Sequence, residues 1–321
     1  MSALGKSSIV FVTMTGLLWG GWIIGAQTPE GQEAIARAYR AYAEDQAAAN
    51  EDLFNSDALR AIVCGGEGVE RGEPKPCLAV IAAGKLFVVD AGSGAAASLA
   101  RRNIPMGRLH AVLLTSVSST QTADLGELYN DSAATRSNPL MPVYGPAETQ
   151  RTVDGLNQVA GLDGLEQGLQ AWGPGPEPGR SVIVFENDGL TVSAFATDGD
   201  FANRRIGYRF DYRGRSLVVG GDGRVVGAQG AENAQVVLQG AQSEVLANLH
   251  QDGYATPAEI AAQARAANSG MVVLTGAENQ MSASMQVAEA RAAGLEDVIA
   301  GRIGMLLEMP LRNSEINVRP L

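Results

Sequence analysis

The spacing of apolar and polar positions changes several times along the chain. Residues 7–26, SSIVFVTMTGLLWGGWIIGA, contain no charged side chain. About 20 apolar residues are needed to span a bilayer, so this stretch predicts a single transmembrane helix. Lys6 precedes it and Glu30 and Glu33 follow, which favours residues 1–6 inside and the rest of the chain outside. Arg37 and Arg40 weaken that bias slightly. A cleaved signal peptide is the rival interpretation; a cut after Ala26 would place Ile24 where a small residue is preferred. Both alternatives put the bulk of the chain in a periplasmic or extracytoplasmic space, and the first makes it a single-pass inner-membrane protein. Gly16 and Gly20, and again Gly21 and Gly25, have the GxxxG spacing that lets helix backbones approach closely. Glycine is also simply common in membrane helices.

Residues 27–56 predict a juxtamembrane helix and linker. Thr28 can cap, Pro29 suits the first helical position, and Ile35, Tyr39 and Tyr42 form a narrow apolar stripe. From residue 57 to 321 the period alternates between two and about 3.6. LRAIVC, CLAVIAAG and KLFVVDAG predict consecutive strands, GAAASLARR a helix, HAVLLT a buried strand and ADLGELYNDSA a helix. MPVYG then predicts a strand and PAETQRTVDGLNQVAG a helix, whereas GLEQGLQAWGPGPEPGR, rich in Gly and Pro, predicts a flap or loop. SVIVFEN, GLTVSAFAT, RIGYRFDYRG and RSLVVGGD predict a run of strands. AQVVLQG, a helix through SEVLANLH, a helix over 257–268, the strand GMVVLTG and a last helix over 281–293 complete the pattern. Two halves, each giving strands and then helices, predict two sheets packed face to face with helices outside.

Composition narrows the function. Hydrophobic residues make up 45% of 321, enough for a sizeable core. A net charge of −11 leaves no electrostatic footprint for nucleic acid. The two cysteines, Cys64 and Cys77, flank GGEGVERGEPKP. In an exported chain such a pair suggests one disulfide pinning a loop. A metal site is the alternative, but no histidine or second cysteine pair lies near them in the sequence.

Candidate chemistry centres on LLTSVSSTQTADLGELY, residues 113–129, where a buried strand runs into small polar residues before a helix. Catalytic groups often sit at such a junction, yet its polar part, SVSSTQT, holds no strong acid, base, nucleophile or metal ligand. Residues 59–307 resemble the metallo-β-lactamase fold, in its ribonuclease Z-like and exported hydrolase branch. The resemblance rests on VCGGEGVERGEPKPCLAVIAAGKLFVVDAGSGA with its Asp-Ala-Gly turn, on PVYGPAETQRTVDGLN, on IGYRFDYRGRSLVVGGD and on TPAEIAAQARAANSGMVVLTG, in that order. It implies an α/β, four-layer αββα sandwich, here preceded by one transmembrane helix. In that family the first loop reads LTHxHxDH, and its His and Asp side chains hold zinc ions that generate a hydroxide. Thr115 matches, but the ligand positions hold Ser116, Ser118, Thr120 and Gln121. Later ligand positions fall at Gly199, Asp222, Tyr254 and Gly276, of which only Asp222 keeps the family's residue type.

Zinc prefers thiolate, imidazole or carboxylate donors, and only His110 and His250 exist, neither at a ligand position. Both are expected to be structural or surface residues. The expectation is no zinc, no other cofactor and no catalytic residue. Asp222 alone is one carboxylate, equally suited to capping a turn or bonding the polar loop. Ser116 and Ser118 lack a nearby base for hydrolase chemistry, and the glycine-rich GEGVERG and GSGAAAS lack a Walker lysine. Three functions stay open: a silent, membrane-anchored partner or scaffold subunit with a protein partner or a second copy; a module binding a small polar ligand; and a zinc-free or weakly metal-dependent hydrolase.

Overall fold

The computed structural model describes residues 28–29, 32–33, 37, 50–65, 75–133, 136, 138–162, 164, 166–173, 175–197, 205–221, 230–244, 255–277 and 279–321. The expected membrane span, with Gly16, Gly20, Gly21 and Gly25, lies outside them. Among the described residues no helix is long and apolar enough to cross a membrane. The chain divides into two compact units, Met1–Glu51 and Asp52–Leu321. In the first, Pro29, Gln32, Glu33 and Arg37 are helical, and the Gln32 N–H donates to the Thr28 carbonyl at 2.9 Å.

In the second unit, β1 (Ala58–Val63), β2 (Leu78–Ala82), β3 (Lys85–Val89), β4 (Leu109–Leu113), β5 (Leu140–Tyr144) and β6 (Gly168–Trp172) build most of one sheet. β7 (Ser181–Asn187), β8 (Leu190–Ala196), β9 (Ile206–Tyr212), β10 (Arg215–Gly221), β11 (Val236–Gly240), β12 (Met271–Thr275) and β13 (Val298–Ala300) build the other. β14 (Met305–Pro310) and β15 (Asn317–Pro320) return to the first. The strand orders are β15-β14-β1-β2-β3-β4-β5-β6 and β13-β12-β11-β10-β9-β8-β7. β3 through β6 run parallel, as do β10 through β13. Helices α1 (Ala95–Arg101), α2 (Ser119–Thr122), α3 (Leu125–Ala133) and α4 (Thr149–Val159) follow strands of the first sheet, and α5 (Pro257–Ala266) and α6 (Gln280–Ala292) those of the second.

Strand alternation fixes the layering. Leu59, Ala61 and Val63 of β1 pack between the sheets with Leu190, Tyr208, Phe210 and Leu238. Ile62, on the opposite face, packs with Leu99, Leu125 and Val153 under the helices. On the far side, Val218, Val237 and Val272 pack beneath Ile260, Ala264 and Ala290 of α5 and α6. These three apolar layers make the αββα sandwich that the resemblance implied.

Two expectations need correction. GLEQGLQAWGPGPEPGR is not all loop: β6 pairs in parallel with β5 from Leu140↔Gly168 to Tyr144↔Trp172. Leu169 is buried among the helix-side residues, a gain in burial that outweighs the local glycine content. The structure also continues past the last expected helix, because β13, β14 and β15 follow it. β14 pairs antiparallel with β1, inside the sheet rather than at its rim. Arg60 marks that junction. Its guanidinium donates to Glu308 and Asp57 at 2.7 Å each, and to the Leu53 and Asn55 carbonyls. The cation is buried with each of its three nitrogens engaged, which is what makes its burial tolerable. Cys64 and Cys77 form a disulfide joining the end of β1 to the start of β2, and the Cys64 N–H donates to the Cys77 carbonyl at 3.1 Å.

Candidate functional site

The parallel strands of both sheets end on the same side of the sandwich, where open α/β sheets place their ligands. Thr115, just past β4, links the two sheets at these strand ends. Its N–H and its Oγ1–H each donate to the Asp90 carboxylate at 2.7 Å. Its carbonyl accepts from Ile206 N–H of the second sheet at 2.9 Å. Its side chain lies against Gly221, where an added Cβ would come within 2.7 Å of Thr115 Cβ, and Gly221 has φ +65°. Gly221 is therefore glycine for two reasons, backbone conformation and lack of space.

Asp90 ends β3 with φ 59°, a left-handed conformation that Asp tolerates better than most residues. It is 2% exposed. A carboxylate so buried is costly unless hydrogen-bonded, and Thr115 supplies two short bonds. Tyr208, on β9, donates from its hydroxyl to the Leu114 carbonyl at 3.0 Å. Burial, then the nearby Asp90 charge, then Tyr144, hold the Tyr208 phenol well above its ordinary range. It stays protonated and acts as a hydrogen-bond donor. Gln239, at the end of β11, donates to the Gly221 carbonyl at 2.8 Å and ties the neighbouring strand ends together.

The polar loop closes on itself. Ser116 Oγ accepts from Ser118 N–H at 3.3 Å. The Ser118 and Thr120 hydroxyls lie 2.6 Å apart, and both approach Gln121 Oε1, Thr120 at 2.5 Å. Gln121 is buried, and its carbonyl accepts from Ala91 N–H at 2.7 Å. Asp124 N–H donates to the Ala91 carbonyl at 2.9 Å, and its carboxylate accepts from Ala96 N–H at 3.1 Å. Ser119–Thr122 of this segment form a helical turn, α2, and the bonds of Gln121 and Asp124 clamp the turn after Asp90 to α1 and α3.

The structure brings Ser116, Ser118, Thr120 and Gln121 into this one network beside Thr115. Gly276 follows β12 with φ +84° and offers no side chain. Gly199, Asp222 and Tyr254 lie outside the described residues, as does His250. His110 is at the other end of β4 from the loop, its ring 5.3 Å from Phe87 and 4.7 Å from Phe185. Burial, followed by the charges of Lys85 and Arg136, lowers its pKa. Sequence reasoning missed Tyr208, Gly221 and Gln239 and took Asp90 only as part of a turn. The visible signal was a lone acid closing an apolar strand, VVDAG.

These donors do not fit a dinuclear zinc centre. Ser116, Ser118, Thr120 and Gln121 offer neutral oxygens, three of them already turned toward one another, whereas zinc takes thiolate, imidazole or carboxylate ligands. Asp90 is committed to Thr115. Among the described residues no three His, Cys, Asp or Glu side chains are grouped to hold a metal ion. Trp172, half exposed, stacks on Tyr144 at 6.3 Å at the same strand ends.

No protein-family model matches the chain. Ribonuclease Z of Mycobacterium marinum is 31% identical over 156 residues, covering 46% of this chain and 56% of that protein. Ribonuclease Z of Mycobacterium sp. (strain KMS) is 30% identical over 155 residues, covering 46% and 54%. The chain thus spans about half the length of these relatives. Among solved structures, the short form of human tRNase Z superposes with a TM-score of 0.63 at 16% identity, covering 78% of this chain and 99% of that one. The metallo-β-lactamase fold protein YhfI from Bacillus subtilis gives 0.61 at 18% identity, with 78% and 99% covered. At such identities the superpositions speak for the fold alone, and they agree with the sheet order and helix layers described above. The chain therefore has the metallo-β-lactamase fold.

Proposed function

We propose that this chain is a metallo-β-lactamase-fold protein that has lost dinuclear zinc hydrolysis. In this reading it serves as a membrane-anchored partner or scaffold subunit of a membrane-associated complex, with its folded domain outside the cytoplasm. The observation that carries the proposal is the loop after β4, where Ser116, Ser118, Thr120 and Gln121 bond to one another instead of presenting ligands. A metal-activated hydroxide needs several charged or imidazole donors held in register. RNA processing, which the relatives' names suggest, sits poorly with a net charge of −11. The uncharged stretch over residues 7–26, with its paired glycines, supports the anchor and a helix-packing face. The disulfide supports an oxidising compartment.

The test is elemental analysis of the full-length chain purified without affinity tags, with thermal unfolding in chelator and in added zinc. The expected result is no bound zinc, no difference between the two melts, and no turnover of phosphodiester or lactone substrates. Near-stoichiometric zinc, with a thermal shift abolished by Asp222→Ala, would overturn the proposal. For the partner role, Gly16→Ile with Gly20→Ile should weaken recovery of a complex in mild detergent while the domain stays folded; unchanged recovery would count against that face. A small-ligand module is the second reading. It is favoured by the exposed Trp172 stacked on Tyr144 at the ends of β5 and β6, an arrangement suited to a neutral polar ligand. A metabolite co-eluting with the domain would support it.

A further inference from the structure

Both sheets end in a free edge strand on one side of the sandwich, β13 and β15. Between these edges and α6 lies a cavity of about 830 Å³, within the size range of small-molecule sites. Half-buried Met271, Val287, Ile299 and Met305 give it an apolar floor. Its rim carries three exposed cations, Arg291, Arg302 and Arg319, and among the described residues no Asp or Glu lines it. The chain has 35 acidic residues against 24 basic ones, so a described lining with three cations and no acid runs against its composition.

The ion pairs among the described residues use Arg60, Lys85, Arg180 and Arg209, and none uses a rim arginine. Arg291 reaches the Val298 carbonyl at 3.4 Å and Arg319 the Pro320 carbonyl at 3.5 Å, both long contacts. Arg319 pairs in register with Leu306, next to Met305, and the Arg302 carbonyl accepts from Met305 N–H at 2.8 Å. Arg302 and Arg319 line the groove together with Met305. The edges themselves offer little to an added polypeptide strand. β13 has three residues, and Pro320 of β15 has no N–H to donate.

We propose that this groove binds a monomeric anionic amphiphile, an alkyl carboxylate, with the chain on the Met271–Met305 floor and the head between Arg302 and Arg319. Guanidinium groups hold carboxylates by paired, charge-assisted hydrogen bonds, and the apolar floor gives the chain its burial. The site is separate from the cleft at the strand ends and does not depend on how that cleft works.

The experiment is titration of the full-length chain, labelled at its methionine methyl groups, with decanoate below its micelle concentration. Met271 and Met305 signals should shift, whereas those of Met106 and Met141, which do not line the groove, should not. Decyltrimethylammonium, with the opposite charge, should leave Met271 and Met305 unshifted. The variant Arg302→Gln/Arg319→Gln, altered only at exposed positions, should bind decanoate at least about tenfold more weakly, the scale of one charge-assisted contact. Equal binding of the cationic amphiphile, absence of shifts at Met271 and Met305, or unchanged affinity in the double variant would each overturn the proposal.

Discussion

Replacing Asp90 with alanine should be among the most damaging single changes at the strand-end cleft. The Thr115 N–H and hydroxyl both donate to its carboxylate at 2.7 Å, and Thr115 is itself buried. Each buried group left without a partner costs about 1–3 kcal/mol. Alanine at φ 59° adds about 1–2 kcal/mol of left-handed backbone cost. Both stranded groups belong to one residue and relax together, so simple addition overstates the total. A loss on the order of 3–5 kcal/mol follows, a large part of a typical domain's 5–15 kcal/mol. Asp90→Asn is the control. It tolerates the same backbone and keeps an acceptor, so it should lose only about 1–2 kcal/mol of charge assistance. Urea unfolding followed by circular dichroism measures both variants. A spectrophotometric titration adds a separate readout: without the Asp90 charge the Tyr208 phenol should ionise more readily than in the parent. It should still ionise above its usual 10, because burial is the larger cause. Asp90→Ala costing less than about 1 kcal/mol, or Asp90→Asn costing as much as Asp90→Ala, would refute the reasoning.

Gly221→Ala and Gly161→Ala share a positive φ, +65° and +67°, but only the first would press a Cβ against Thr115; Gly161→Ala should cost about 1 kcal/mol and Gly221→Ala clearly more, and equal urea midpoints would contradict the close approach. Cys64→Ser/Cys77→Ser, or reduction, should cost about 3 kcal/mol for a loop of this size; a reduced protein with an unchanged midpoint would count against a stabilising bridge. His110 has its pKa lowered in the folded state from the usual 6.5, so the unfolded chain binds the proton more readily. Stability should therefore fall as pH drops through about 6.5 and level off below the folded pKa, and His110→Gln should flatten that slope in pH-dependent urea curves.

Much of the fold could be read from apolar runs such as HAVLLT and SLVVGG, because strands buried on both faces leave few polar positions. β6 could not, since Gly168 and the exposed Gln170 and Trp172 give it a loop's composition, and only pairing with β5 makes it a strand. β15 is exposed along its whole length and carries little period at all. In the cleft, the neutral residues from Ser116 to Gln121 were visible because they sit together in the chain. Tyr208 was not: it meets Leu114 across 94 positions, and one tyrosine in a run of alternating residues looks like any other core aromatic. Gly221 likewise shows its purpose only once Thr115 is placed against it.

The seam between β1 and β14 has a consequence for how the polypeptide acquires its structure. Arg60 and Glu308 are joined across 248 positions, and β1 has β14 on one side and β2 on the other. As the chain is synthesised or threaded from its N-terminal end, β1 emerges early and keeps one open edge until β14 arrives. During that interval the Arg60 guanidinium lacks its Glu308 partner, and the first sheet can recruit a foreign strand along the β1 edge. Closure of so distant a pair is slow because loop entropy is lost before the contact forms. Nascent chains arrested before Met305 should accordingly stay sensitive to protease throughout the first sheet and become resistant together once the β14 segment is released. Stepwise resistance, appearing as soon as β3 is complete, would show that the early strands protect themselves.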